Sequence, residues 1–221
     1  MILGLTGLYC AGKNHVGLLL EKRGFPVLDA DALGHEAILG KAEEIIGRFG
    51  EEIVRSDGLI DRRLLSRIVF GKPEKLAVLE GIIHPVVNRL IEKWITSHAG
   101  PCVINAALLH KSAVFNQLNA IIAVNAPFPV RFFRAVNRDR LPWNELIQRF
   151  LSQKSFPRYN SGRSQFFPCA ADIYTIQNSG FPLSGRTLEK RIDGILEGVS
   201  HGKEKTITGN SFGRSISGNR I

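Results

Sequence analysis

The period of hydrophobic and polar positions changes twice at the start of the chain. A short apolar run is followed by a stretch with apolar residues three and four apart, and then by a second apolar run: "MILGLTG", "KNHVGLLLEKRG" and "FPVLDAD". The first and third are typical of short buried strands, and the second is typical of a helix that ends near Gly24. This strand–helix–strand order predicts a parallel sheet.

From Ala32 to His98 the pattern becomes helical. Three stretches carry apolar residues at helical spacing, and the polar turn "RSDGLID" separates the first two: "LGHEAILGKAEEIIGRFG", "RRLLSRIVFG" and "PEKLAVLEGIIHPVVNRLIEKWITSHAG". His84 precedes Pro85 within the third stretch and predicts a bend there, because proline interrupts helical hydrogen bonding. We therefore expect a helical insert over residues 32–98.

Strand patterns return after the insert. Three apolar runs and three helical stretches follow: first the strands "PCVINAALL" and "LNAIIAVNAP", then the helices "PVRFFRAVNRDR" and "PWNELIQRFLSQ", and finally the strand "AADIYTIQN" and the helix "PLSGRTLEKRIDGILEGV". We expect an α/β core formed by residues 1–31 and 99–199. Residues 200–221 have little apolar content and many Ser, Gly and Asn residues, and we expect them to form a disordered tail.

Composition places the chain among ordinary globular proteins. With 221 residues it can form one sizeable domain or a core with an inserted smaller one. Its three cysteines lie far apart and form no C-x-x-C pair, so we expect neither a disulfide framework nor a zinc site. No secretion signal is evident, and no run reaches the roughly 18 apolar residues of a membrane span. We expect a cytoplasmic protein with no membrane partner.

The net charge of +9 is unevenly distributed. Residues 131–163 carry +6 and residues 200–221 carry +3, so the rest of the chain is neutral. A local excess of this kind suits an anion site better than an extended nucleic-acid groove. We therefore expect no nucleic-acid partner, while the sequence leaves the oligomeric state open.

The first strand leads into a glycine-rich loop. Residues Gly7 to Lys13 match the pattern G-x-x-x-x-G-K, but Asn14 stands where the phosphate-loop motif has Ser or Thr. In such a loop the backbone N–H groups and the following helix N-terminus bind phosphate, and Lys13 would contact the outer phosphates. Asn14 offers an amide oxygen where a hydroxyl would ligate magnesium. The alternative is a plain strand-to-helix turn with a solvated lysine.

Acidic and basic side chains follow at the predicted sheet edge and on the predicted basic helices. If the second strand extends through Asp29 and Asp31, both carboxylates point to one side, and one of them could accept the proton of a substrate hydroxyl. Their alternative role is helix capping.

Arg131, Arg134 and Arg138 share one helix face, and Arg149 follows nearby. These arginines either cover bound phosphates or form a solvated basic face. The six histidines show no metal-ligand spacing.

Several stretches resemble bacterial dephospho-coenzyme A (dephospho-CoA) kinases. They occur in that family's order from Met1 to about Gly180: "GLTGLYCAGKN", "GFPVLDAD", "FGEEIVRSDGLIDRRLLSRIVF", "LEGIIHPVV", "FFRAVNRDR", "RFLSQ" and "AADIYTIQNSG". The resemblance implies a P-loop kinase fold, in which a parallel sheet flanked by helices carries a helical substrate-binding insert and a basic helical lid at about 131–163. It also implies transfer of the ATP γ-phosphate to the ribose 3′-hydroxyl of dephospho-CoA, with Mg²⁺.

The resemblance further implies roles for individual residues. Lys13, Asp31 and Arg138 would be catalytic, with Asp31 orienting or deprotonating the attacking hydroxyl. Asn14 is the candidate magnesium ligand, and the other residues implied to bind ATP are Leu8, Tyr9, Cys10, Ala11, Gly12, His15, Arg134 and Asn178, with Lys13 and Asn14 again among them.

Three positions depart from the family pattern. Asn14 replaces a hydroxyl residue, Asn105 replaces an acid at the end of the third strand, and Lys111 replaces a glutamate. All three are expected near the place where magnesium and the acceptor meet. Two alternatives therefore stay open: a degenerate kinase that binds nucleotide or a CoA precursor without turnover, and a kinase of another small hydroxylated acceptor.

Overall fold

A five-stranded parallel sheet forms the centre of the molecule. The computed structural model describes residues 1–152, 171–179 and 184–200, and within them the strand order is β2-β3-β1-β4-β5 with every pair parallel. The strands are β1 (Ile2–Gly7), β2 (Val27–Asp29), β3 (Cys102–Asn105), β4 (Ala120–Asn125) and β5 (Asp172–Gln177). The predicted parallel sheet is confirmed, and β1, which feeds the glycine-rich loop, is its central strand.

Helices connect the strands and cover both faces of the sheet. They are α1 (Lys13–Glu21), α2 (Ala30–Gly40), α3 (Ala42–Phe49), α4 (Arg62–Val69), α5 (Pro73–Thr96), α6 (Phe128–Asp139), α7 (Trp143–Ser152) and α8 (Ser184–Ser200). Short 3-10 turns lie at Glu51–Ile53, Leu109–Lys111 and Ala113–Gln117. None of the helices within the described ranges combines the length and apolar character that crossing a membrane requires.

The apolar strands bury both of their faces. Ile121 and Ile122, adjacent in β4, belong to two different hydrophobic clusters because successive strand side chains point to opposite sides. The cluster with Ile122 includes residues of α1 and α8, and the cluster with Ile121 includes Ile91 of α5. The carboxyl ends of the strands remain as the edge where loops can form a site.

Residues 32–98 are mainly helical and contain a core of their own. This third cluster packs α3, α4 and α5 together around Ile45, Phe49, Ile53, Ile60, Leu65, Val69, Leu79 and Ile82. Leu79 and Ile82 lie in α5, which also supplies Ile91 to the sheet core, so one helix connects the two hydrophobic clusters.

Some element boundaries differ from the sequence expectation. The predicted helix over residues 33–50 is two helices, because the backbone of Lys41 leaves the helical region at φ −119°. Helix α5 runs from Pro73 to Thr96 with Pro85 inside it, and the bend expected at Pro85 stays a prediction. Ser200 is the last residue of α8, whereas the rest of the expected tail, residues 201–221, lies outside the described residues, as do residues 153–163 of the expected lid.

Candidate nucleotide-binding site

The glycine-rich loop joins β1 to α1 and has no room for side chains at its two motif glycines. Gly12 adopts φ +95°, and a Cβ there would lie 2.3 Å from Asn178 Nδ2. A Cβ on Gly7 would lie 2.6 Å from the carbonyl oxygen of Val124. Glycine is therefore required at both positions, and α1 begins immediately afterwards at Lys13 with its N-terminus at the loop.

Two predicted nucleotide contacts, Asn178 and Arg134, hold the loop through its carbonyl groups. Asn178 Nδ2 donates to Ala11 O at 2.9 Å, and Arg134 Nη1 donates to Cys10 O at 3.3 Å and to Ala11 O at 3.2 Å. Arg134 Nη2 in turn donates to Asn178 Oδ1 at 3.2 Å. These bonds fix the backbone of the loop, so both residues have an evident structural task. Their contact with a nucleotide remains a prediction.

Lys13 and Asp31, both predicted to be catalytic, lie in direct contact. Lys13 Nζ is 2.7 Å from Asp31 Oδ2, and the side chains are 12% and 48% exposed. The N–H of Ala107, in the segment after β3, donates to Asp31 Oδ1 at 3.2 Å. One carboxylate therefore connects the start of α1, the start of α2 and the segment that follows β3.

The expected arrangement of Asp29 and Asp31 is wrong. Strand β2 ends at Asp29 and α2 begins at Ala30, so the alternation of a strand does not extend to Asp31. Asp29 Oδ1 instead accepts hydrogen bonds from the N–H groups of Asp31 at 3.0 Å and Ala32 at 3.3 Å, which makes it the N-cap of α2. The cap places Asp31 in the first helical turn, where it contacts Lys13.

Of the three positions that depart from the family pattern, two are in contact. Asn105 Nδ2 donates to Asn14 Oδ1 at 3.4 Å. Asn105 is 3% exposed, and its Oδ1 is buried with no hydrogen-bond partner among the described residues. Lys111 instead forms an ion pair with Glu80 of α5, at 2.6 Å between Nζ and Oε1.

Helices α6 and α7, here called the basic helices, pack on the tip of the loop. Cys10, at φ +58°, is buried against Ala135 and Leu146, and burial raises the pKa of its thiol. Arg138 donates from Nε to Asp139 Oδ1 at 2.6 Å and from Nη2 to Asp139 Oδ2 at 3.1 Å. Its guanidinium also lies over the ring of Tyr9, 5.4 Å from the centroid.

The remaining candidates have simpler environments. Arg131 does not belong to an open basic face, since its Nε donates to Ala126 O at 3.1 Å and its guanidinium lies 5.5 Å from the centroid of the Phe150 ring. Burial accordingly lowers the pKa of Arg131. Leu8 packs against the core below the loop, and His15 is exposed on the first turn of α1.

Sequence reasoning missed two participants, the side chain of Asp139 and the backbone N–H of Ala107. The hydroxyl of Tyr9 donates a hydrogen bond to Asp139 Oδ2, although 130 positions separate the two residues. The N–H of Ala107 holds Asp31, and a backbone donor leaves no trace in the choice of side chain. No spacing rule connects either pair: Tyr9 meets Asp139 when the basic helices pack against the loop, and Ala107 meets Asp31 because β2 and β3 are neighbours in the sheet.

Comparison with known proteins identifies relatives. The family model described as dephospho-CoA kinase matches residues 1–159. A dephospho-CoA kinase of Thermus thermophilus is 37% identical over 154 residues, which cover 69% of this chain and 75% of that protein. The crystal structure of TT1252 from Thermus thermophilus, 31% identical, aligns with a TM-score of 0.69 over 89% of this chain and 96% of that one. A dephospho-CoA kinase from Campylobacter jejuni, only 20% identical, shares the fold with a TM-score of 0.53 over 90% of this chain and 96% of that one. The chain belongs to the dephospho-CoA kinase family.

Proposed function

We propose that this protein transfers the γ-phosphate of ATP to the ribose 3′-hydroxyl of dephospho-CoA. The observation that carries the proposal is the contact between Lys13 and Asp31, 2.7 Å apart beside the glycine-rich loop. It places a cation suited to the transferred phosphate next to a carboxylate suited to the accepting hydroxyl. Membership in the dephospho-CoA kinase family supports the identity of both substrates.

The loop and Lys13 would bind the phosphates of ATP. The bonds from Asn178 and Arg134 hold the loop carbonyls at Cys10 and Ala11, so the backbone is shaped before ATP arrives. The N–H groups of the loop and the N-terminus of α1 then supply donors for phosphate oxygens. When ATP binds, Lys13 would leave Asp31 and contact the outer phosphates, since the triphosphate carries more negative charge than one carboxylate.

Asp31 would act on the acceptor. The N–H of Ala107 keeps its Oδ1 in place, and the departure of Lys13 toward phosphate leaves Oδ2 able to accept a proton. As the 3′-oxygen forms its bond to the γ-phosphorus, the bond from that phosphorus to the bridging oxygen of ADP breaks and the hydroxyl proton passes to Asp31. Arg138 would stabilise the charge on the transferred group.

The residues present fit a magnesium ion, although weakly. Asn14 and Asn105 would hold it through amide oxygens once the hydrogen bond from Asn105 Nδ2 to Asn14 Oδ1 is released, and the buried Oδ1 of Asn105, which has no hydrogen-bond partner among the described residues, supports this. The described residues contain no group of three His, Cys, Asp or Glu able to bind a metal, so the ATP phosphates would supply most of its ligands. When bound, magnesium would neutralise charge on the β- and γ-phosphates.

The proposal is tested by incubating the purified protein with ATP and Mg²⁺, with and without dephospho-CoA. We expect ADP formation that depends on dephospho-CoA, and a product heavier by one phosphoryl group in mass spectrometry. Lys13→Ala is the matched control, because it removes the cation expected to contact the phosphates, and its thermal unfolding checks that the variant is folded. ATP binding without product would instead support the nucleotide-binding alternative, and turnover with adenosine or pantothenate but not dephospho-CoA would support a different acceptor.

A further inference from the structure

Tyr9 connects the glycine-rich loop to the basic helices. Its position is one of the variable ones in the loop motif, where phosphate binding requires no particular side chain. Its ring nevertheless packs edge-on against Phe150 of α7, with centroids 5.2 Å apart, and its hydroxyl donates to Asp139 at the end of α6. The side chain therefore has partners in both basic helices.

Asp139 is the point where these contacts converge. Its side chain is only 14% exposed, and it accepts two hydrogen bonds from Arg138 and one from Tyr9. Arg149 Nη1 of α7 lies 3.6 Å from its Oδ2. The Arg138 guanidinium, followed by the Tyr9 hydroxyl, lowers the pKa of this carboxyl, so it is ionised at neutral pH. A carboxylate with this many donors is held in one place.

The same contacts restrict Arg138. Its side chain is 61% exposed, and an arginine with so little packing samples many rotamers unless a partner fixes it. Asp139 binds the edge formed by Nε and Nη2, and within the described ranges no hydrogen bond engages Nη1. The ring of Tyr9 supports the guanidinium from one face. Arg138 therefore keeps one side oriented and the other available to a ligand.

From these contacts we propose that Asp139 is a positioning residue, locked by the hydroxyl of Tyr9, that orients Arg138 toward the transferred phosphate. The loop that would bind the phosphates thereby also fixes the orientation of Arg138, the arginine that would act on them. The buried packing of Cys10 against Ala135 and Leu146 beneath this junction keeps the loop tip and the basic helices together. The inference rests on the proposed function, in which Arg138 stabilises the transferred group.

The test uses Tyr9→Phe, which keeps the ring against Phe150 and under Arg138 and removes only the hydroxyl. We expect kcat to fall about 5- to 10-fold while KM for ATP changes less than about 2-fold, since orientation of a transition-state contact is lost. Asp139→Asn should reduce kcat further. In an Arg138→Lys background, adding Tyr9→Phe should change kcat by less than about 2-fold relative to Arg138→Lys alone, because the guanidinium that Asp139 orients is already absent.

A matched control is Asp193→Asn, which removes another carboxylate from an arginine. Asp193 of α8 pairs at 2.5 Å with Arg23, which lies just after the C-terminal end of α1 and away from the loop tip, and its substitution should leave kcat unchanged. Thermal unfolding of every variant shows whether it is folded at the assay temperature. Equal losses from Tyr9→Phe in the wild-type and Arg138→Lys backgrounds, or no loss in the wild type, would overturn the proposal.

A second measurement does not require turnover. The Nε–H signal of Arg138 in ¹⁵N NMR spectra, assigned by its disappearance in Arg138→Lys, should be protected from solvent exchange and should lose that protection in Tyr9→Phe. If the wild-type protein makes no product but this signal responds as expected, the proposed function fails and the positioning role stands. If the signal is unprotected or unaffected by Tyr9→Phe, the positioning role fails whatever the protein catalyses.

Discussion

At the scale of single residues, Asp29 and Asp31 show how two identical side chains acquire different tasks. The first caps α2 and the second contacts Lys13 and the N–H of Ala107. Asp31→Asn should therefore lower kcat by about 10²- to 10⁴-fold with a much smaller change in KM, because an amide fills the space without accepting a proton. Steady-state kinetics measure both constants.

Asp29→Asn is the matched control for that variant. Asparagine caps helices about as well as aspartate, so activity and stability should stay close to those of the wild type. A large loss of kcat in Asp29→Asn with a normal Asp31→Asn would show that the roles are reversed.

Asn14 and Asn105 give a second prediction at this scale. Their contact brings two neutral amides to the place where a hydroxyl and an acid would bind magnesium more strongly. Asn14→Ser should therefore lower the concentration of free Mg²⁺ that gives half-maximal rate, and Asn105→Asp should lower it further by adding charge. Magnesium titrations at saturating ATP and dephospho-CoA measure this. Identical titration curves for all three proteins would show that the amides are neutral replacements.

At the scale of elements, the sequence predicts the strands and most helices because their apolar periods are clear. Its failures lie at boundaries. The "DAD" stretch directly follows the apolar residues of β2 and reads as part of the same strand. Asp29 instead caps α2, which begins at Ala30, so Asp31 lies in the helix and not in the strand. The motif likewise predicts the loop and Lys13, whereas the contact between Tyr9 and Asp139 depends on how α6 and α7 pack on it. A contact between residues this far apart in the chain leaves no local sequence pattern from which it could be predicted.

The junction of the loop with the basic helices also predicts a pH dependence. Arg138, and to a lesser degree Tyr9 and Arg149, lower the pKa of Asp139 in the folded protein. Its contribution to stability is therefore complete above the unfolded-state pKa of about 4 and is lost as pH falls through the lower folded-state value. Asp139→Asn should lower Tm at pH 7, and the difference from wild type should shrink as pH decreases from 5 to 3. A Tm difference that is the same at pH 7 and pH 3 would contradict this account.

At the scale of the whole molecule, helix α5 joins two hydrophobic cores. Leu79 and Ile82 belong to the core of residues 32–98, and Ile91 belongs to the sheet core. Leu65→Ala, in the first of these cores, should cost about 2–5 kcal/mol of unfolding free energy because it leaves a cavity in a fully buried place. Denaturant unfolding measures this cost, and Leu64→Ala, at an exposed neighbour, is the control. Equal costs for the two variants would show that this core contributes little to stability.

The position of β1 has a consequence for the order in which the chain folds. The central strand begins at Ile2, yet its partners are β3, where Leu3 is paired with Val103, and β4, where Leu3 is paired with Ala120. About one hundred residues must therefore be synthesised before β1 can form a single ladder bond, while the helices between them need only near neighbours. Closing such long loops is entropically costly, and contacts distant in sequence form late.

In pulse-labelling hydrogen exchange during refolding, amides of α3 and α4 should gain protection before those of β1. Simultaneous protection would mean that the sheet and the insert fold as one unit. If the insert is first, the phosphate loop, which follows β1 directly, takes shape only after strands about one hundred residues further along the chain have joined the sheet.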